Sequence, residues 1–148
     1  MEYIVSLVNL VDALGTMMLK IESIEDDTLT QLQREVGGYV DVANWIFPDL
    51  TEEGFDCWIA DDGFGKPITL IHERDGHQYP VRGNLVFALH DDEGNTIGMD
   101  KMDCLYLVMK LNEVSDRSIP VKLSVDSKEE AFEWDKLISA AEEVMAQA

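Results

Sequence analysis

Three stretches of the chain hold side chains of the kinds that do chemistry, close enough together to cooperate. His72 and His77 lie five apart, with Glu73 and Asp75 between them. Imidazoles and carboxylates in that order could hold a divalent metal, but the spacing matches no zinc pattern. The stretch reads instead as an exposed loop. Asp91-Asp92-Glu93-Gly94-Asn95 suggests calcium. An EF-hand loop needs glycine at its sixth position and a bidentate Glu at its twelfth. Counted from Asp91 these are Thr96 and Met102, so the stretch reads as a solvated acidic turn. Gly63-Phe64-Gly65-Lys66 lacks the four-residue gap and the following Ser or Thr of a phosphate loop. No serine sits in a G-x-S-x-G elbow. Paired acids such as Glu52-Glu53 and Asp61-Asp62 recur, but none sits in an apolar setting that would raise a pKa. The expectation is a non-enzymatic protein with no metal, no cofactor and no catalytic residue.

The acids themselves are the strongest compositional signal. There are 30 Asp and Glu against 11 Lys and Arg, a formal net charge of -19. That disfavours direct, sequence-independent binding to nucleic acid, where Lys and Arg neutralise phosphates. It also disfavours anionic membranes, and it permits steering toward a basic partner or simple solubility. The 148 residues are 46% hydrophobic, enough for one globular domain with its own core. Cys57 and Cys104 form no C-x-x-C pair and read as reduced, half-buried thiols in a cytoplasmic protein. Residues 3–14 are apolar, but Glu2 stands where a signal peptide carries basic residues and Asp12 interrupts the run. The stretch is too short to span a bilayer and is expected in the core.

The elements that must position these residues follow from periodicity. Tyr3–Val11 is β-branched and reads as a strand, although Ile4, Leu7, Val8, Val11 and Leu14 also share a helical face. Gly15 ends it, and 16–22 is a strand pairing back. Thr28 with Gln31 reads as a capping box opening a short helix over 28–36, closed by Gly37-Gly38. Tyr39–Ile46 then alternates as a strand, with Val40 and Val42 facing one way and Tyr39 and Asp41 the other. Residues 48–54 read as a loop and Phe55–Ala60 as a strand. Asp61-Asp62-Gly63 reads as a hairpin turn, with Lys66–Ile71 the returning strand. Residues 72–83 read as a loop, the least acidic part of the chain. Asn84–His90 reads as a central strand buried on both faces, and Thr96–Met99 pairs back on it. Asp100 caps a helix over Lys101–Asn112 with Met102, Leu105, Tyr106, Met109 and Leu111 inward. Ile119–Val125 is a short strand. Ser127 with Glu130 caps a terminal helix with Trp134, Leu137, Ile138, Ala141 and Met145 on one face. The fold class is α+β: a mainly antiparallel sheet of about five to seven strands, with one short and two longer helices packed on it. It forms a single acidic domain, with 116–148 a strand-helix C-terminal extension.

Leu32-Gln33, Val36-Gly37-Gly38-Tyr39 and Asp41 together resemble an uncharacterised family of small phage, plasmid and bacterial proteins. That family shows a Leu-Gln pair in a short helix, then Val-Gly-Gly-Tyr, then a strand with an acid two residues after the tyrosine. Arg82-Gly83-Asn84-Leu85-Val86-Phe87 and Asp61-Asp62-Gly63-Phe64-Gly65-Lys66 match it further, so the resemblance covers roughly residues 30–110. The opening strand region is longer and more apolar than the family's, and the strand and helix after residue 115 are additional. The resemblance implies a small mixed domain of mobile genetic elements and brings no catalytic residue.

Three functional readings follow. The first is an accessory protein of a phage or mobile element that binds a host protein in the host cytoplasm, with Tyr39, Asp41 and Trp58 as contact residues. The second is an acidic DNA mimic that inhibits a nuclease or restriction enzyme by engaging a basic DNA-binding protein. Glu129, Glu130 and Glu133 supply its row of charges. The third is a domain that sequesters a nucleotide or other small ligand through Tyr39, Trp58 and the 72–82 loop. A homodimer is compatible with all three.

Overall fold

The strand β7 (Leu85–His90) occupies the middle of a seven-stranded sheet, because its apolar run can be buried on both sides. Leu85, Val86, Phe87 and Ala88 are all fully enclosed. The computed structural model describes residues 2–9, 17–25, 27–61, 66–115, 119–125 and 127–147. On one side β7 pairs antiparallel with β1 (Tyr3–Asn9), which pairs with β2 (Met17–Ser23). On the other it pairs with β4 (Phe55–Ala60), whose outer neighbour is the edge strand β3 (Val40–Val42). The two-residue β8 (Thr96–Ile97) returns along the end of β7. The far edge is β9 (Val121–Ser124), which runs parallel to β2, the one parallel pairing among the described residues of the sheet. The expected α+β class and strand number are therefore found.

Among the described residues, four helices complete the fold. The helix α1 (Thr28–Val36) lies on one face, with Leu32 and Val36 packed against Ile4, Val86 and Ala88. The opposite face carries α3 (Lys101–Ser115) and α4 (Lys128–Gln147), which close the larger core around Val5, Leu7, Leu19, Phe87, Leu107 and Trp134. Strand alternation explains the division: Tyr3, Val5 and Leu7 point to the α3 and α4 side, Ile4 and Ser6 to the α1 side. β9 and Trp134 belong to the same sheet and core as the rest, so residues after 119 are built into the domain.

Several sequence expectations need correction. The α1 cap is Asp27, whose carboxylate accepts from the Thr30 amide at 3.2 Å and from its hydroxyl. Gln31 is instead buried, donating to the Ser23 carbonyl at 2.8 Å and accepting from the Glu25 amide. The strand expected over Tyr39–Ile46 stops at Val42. The Asn44 side chain captures the Cys57 amide at 2.9 Å and Asp56 at 3.0 Å, which turns the chain out of the ladder. Residues 48–54, expected as a loop, contain the short helix α2 (Pro48–Glu52), which Pro48 suits as a first residue.

The largest departure is in the middle. Among the described residues β4 has no returning hairpin partner, and β5 (Ile68–Arg74) pairs only with β6 (His77–Arg82), as a separate two-stranded unit. The expected 72–83 loop is thus a pair of strands. Asp75 and Gly76 adopt φ of 53° and 78°, the two positive values of a tight hairpin turn. In α3, Met102 and Tyr106 are exposed, and Cys104, Leu107 and Val108 are buried in their place beside Leu105 and Leu111. Gly15, the 62–65 turn and Met145's side chain lie outside the described residues.

Candidate binding site

The hairpin of β5 and β6 leans over the α3 side of the sheet, anchored by buried Val81 and by Leu70. Thr69 ties it down through a hydroxyl that donates to the Gly83 carbonyl, and the Gly83 amide donates to the Pro67 carbonyl at 2.9 Å. Between hairpin, sheet and the C-terminal part of α3 a cavity of about 620 Å³ remains. Its floor is Leu7 and Met17 from the sheet; Ile46, Phe47, Leu111 and Ile119 form its walls. The β5 residues Thr69, Leu70, Ile71, His72 and Glu73 form the side that carries polar groups. The His72 ring meets Trp45 edge to face, with centroids 5.3 Å apart. Among the described residues, Glu73 is the charged member of the lining, and its carboxylate has no ion-pair partner. A concave, mostly apolar space of this size with a few polar groups on one side suits a small organic ligand.

A second, open cleft of about 600 Å³ lies between the Glu53-Gly54 turn, the end of β7 and α3. Phe55 and Tyr106 stack across it at 6.1 Å, and Lys110 sits over the Tyr106 ring. A hydrogen bond to Glu53, then partial burial, pushes the Tyr106 phenol above its ordinary range. Asp56 links to His90 Nδ1 at 3.0 Å near this cleft.

The α1 face holds a third grouping, without a cavity. Lys20 Nζ lies 3.2 Å from Glu35 and 3.8 Å from Glu22. The Glu22 carboxyl is pushed up to about 7, first by burial, then by its hydrogen bond to Glu35 and that group's charge; Lys20 pulls the other way. Ser6, directly across the ladder from Lys20, is fully enclosed, and its hydroxyl has no hydrogen-bond partner among the described residues.

The residues singled out from sequence are not brought together. Tyr39 is 82% exposed beside the edge strand β3. Asp41 is exposed opposite Ile59, and Trp58 is half-buried opposite Val42 on the other face. Glu129 is exposed at the start of α4, whereas Glu130 and Glu133 both bind Lys101, at 3.0 and 2.7 Å. Lys101 therefore neutralises part of the charge row. Cys57 and Cys104 are buried rather than half-buried, and burial pushes both thiols up. Among the described residues no three His, Cys, Asp or Glu side chains converge as a metal site, and no helix is long and apolar enough to cross a membrane.

The cavity residues Ile46, Phe47, Leu70, Leu111 and Ile119 carried no functional signal in the sequence. Their apolar types fit core positions equally well, and four separate segments must meet to make the space. One local signal was present: Asp75-Gly76 is a residue pair that favours a two-residue hairpin turn. Comparison with known proteins gives no significant match to a family model, a curated protein or a solved structure.

Proposed function

We propose that this protein is a non-enzymatic module that binds a small, largely apolar ligand between the β5–β6 hairpin and the sheet. The observation that carries the reading is the cavity of about 620 Å³, whose lining is mostly apolar. His72 and Glu73, from the 72–82 stretch in which the sequence suggested a ligand loop, are among its lining residues. In this reading the net charge of -19 serves solubility.

The test is binding of a neutral solvatochromic probe such as Nile red, with thermal unfolding followed in parallel. A ligand at a hundred times its Kd stabilises the folded state by about 2.7 kcal/mol. For a domain of this size that raises Tm by roughly 5–10 °C. Leu111→Phe, which places extra volume into the cavity wall, is expected to weaken binding about tenfold or more. Unchanged binding in that variant, or saturation at many probe molecules per chain, would overturn the reading.

A second reading is favoured by a different observation. Tyr39 is 82% exposed, and Val42 and Trp45 are 42% and 44% exposed near it, all at the β3 edge. Large apolar side chains at a sheet edge suit a protein partner, which keeps the host-binding accessory role in play. Tyr39→Ala together with Val42→Ala would abolish capture of such a partner and leave probe binding intact. The DNA-mimic reading is the weakest, because Lys101 already occupies Glu130 and Glu133.

A further inference from the structure

We infer that the open edge of β3 takes an extended basic peptide as an added strand. The inference rests on the reading of this edge as a partner site, and adds the mode of binding and the partner's charge; it does not depend on the cavity. β3 turns its odd-numbered residues toward β4. The Asp61 amide donates to the Tyr39 carbonyl at 2.8 Å, Asp41 lies opposite Ile59, and the Ala43 amide donates to the Cys57 carbonyl at 2.8 Å. In an antiparallel ladder the residues between them point their backbone groups the other way. The amides and carbonyls of Val40 and Val42 therefore face outward from the last strand of the sheet, and no described residue bonds them. Two donors and two acceptors in register are a template for a further strand. The flanking side chains do not shield it: Tyr39 and Val42 are both exposed, on opposite faces. The other edge of the sheet differs. β9 carries exposed Lys122 near its centre and packs Val121 and Leu123 against the core.

Charge selects the occupant. Asp41, two residues after Tyr39, and Asp61, whose amide is bonded to it, are exposed carboxylates with no ion pair among the described residues. An arginine or lysine on an added strand gains a charge-assisted contact with them and the face of the exposed Tyr39 ring. A second copy of the chain is the poorer occupant. In the two-fold pairing centred on the strand, Val40 meets Val42 and Asp41 meets Asp41, like charges directly opposite. Two chains of net charge -19 also repel each other, and an acidic peptide meets the same repulsion.

The experiment follows the fluorescence anisotropy of labelled peptides at physiological salt, where exposed charges are screened beyond about 8 Å. The probes are a heptapeptide of alternating valine and arginine, its glutamate counterpart, and the arginine peptide N-methylated throughout, which keeps the charge and removes the backbone donors. The proteins are the native chain, Val42→Pro, Asp41→Asn and Asp92→Asn. Val42→Pro removes an outward amide without touching a bond between β3 and β4. Asp92→Asn removes a formal charge equal to that of Asp41 from the exposed turn before β8. The arginine peptide is expected to bind one per chain. Binding is expected to weaken about tenfold on N-methylation or in Val42→Pro, and about threefold in Asp41→Asn. Asp92→Asn is expected to change nothing, and the glutamate peptide to stay unbound. The N-methyl comparison uses the native chain, so it decides the matter even where Val42→Pro does not fold. Equal binding of the N-methylated peptide would overturn the inference; its loss in Tyr39→Ala with Val42→Ala would then leave a partner held by side chains at this edge. Equal weakening in Asp92→Asn and Asp41→Asn would assign binding to bulk charge and overturn the inference too. No binding of the arginine peptide would also overturn it, and a dimer in sedimentation that Val42→Pro dissolves would then assign the edge to a second copy. Peptide binding that the double substitution leaves unchanged would remove the edge as a partner site.

Discussion

The two faces of the central sheet are held by different physics. On the α3 and α4 side, Tyr3, Val5, Leu7, Leu19, Phe87, Met99, Leu107 and Trp134 form a continuous large-residue core. Two helices of 15 and 20 residues cover it, and it still leaves a cavity at the hairpin end. On the other side, nine-residue α1 covers a patch of smaller residues, Val86, Ala88 and Ala60, with Ile4 and its own Leu32 and Val36. The remainder of that contact is polar: Lys20 between Glu22 and Glu35, enclosed Ser6, and an Asn84 side chain donating to the Glu35 carbonyl at 2.9 Å. Apolar burial is additive and nearly indifferent to pH, whereas an enclosed carboxyl pair with one lysine depends on who holds the proton. The broad face should therefore set stability, and the narrow face should set its pH dependence.

Trp134→Ala gives the largest expected effect. The ring is fully buried and meets Tyr3 edge to face at 5.0 Å, so its removal is expected to cost about 3–5 kcal/mol in urea unfolding. A loss below about 1 kcal/mol would mean that α4 does not carry the core, and the contrast between the faces would fail.

Glu22→Gln probes the other face and has the opposite sign. The folded-state pKa of about 7 lies above the ordinary value of 4.5, so the folded protein binds a proton that the unfolded chain releases. That contribution is complete below about 4.5 and is lost as pH rises through about 7. The variant keeps the neutral form at every pH. It is expected to match the native protein at pH 4 and to exceed it at pH 8, by on the order of 1 kcal/mol after solvent screening. Parallel stability curves for the two proteins between those pH values would remove the proton from the account of this face.

Gly37→Ala sharpens the comparison at the end of α1. Gly37 ends α1 at φ 88°, in the left-handed region, where its amide donates to the Gln33 carbonyl at 2.9 Å. Alanine there is expected to cost about 1–2 kcal/mol, seen first as faster amide exchange in α1 with α3 and α4 unaffected. Equal loosening of both faces would show that they do not open separately.

Much of this was legible in the chain. Alternation and apolar runs marked β1, β4 and β7, and capping residues marked α1 and α4 with nearly the observed bounds. The errors have local causes. The 72–83 stretch was taken for a loop because His72, Glu73, Arg74, Gln78 and Arg82 are polar, yet a two-stranded unit with an exposed outer face tolerates polar residues throughout. β3 was drawn too long because Ala43, Trp45 and Ile46 suit a strand; Asn44 ends it through hydrogen bonds to β4, some 12 residues on. Met102 and Tyr106 were assigned inward on helical periodicity, but an apolar type does not say which side of α3 the sheet approaches.

By itself the amino-acid order determined the α+β class, the central place of Leu85–His90, the capped helices and the acidic surface. These depend on short-range propensity, periodicity and composition, which act within a few residues of chain. Only the tertiary structure decided that β9 joins β2 in parallel, that Glu22 meets Glu35, that Lys101 takes up Glu130 and Glu133, and that a cavity opens under the hairpin. Each of these joins residues distant in sequence, and its energy exists only once loop closure has brought the partners together.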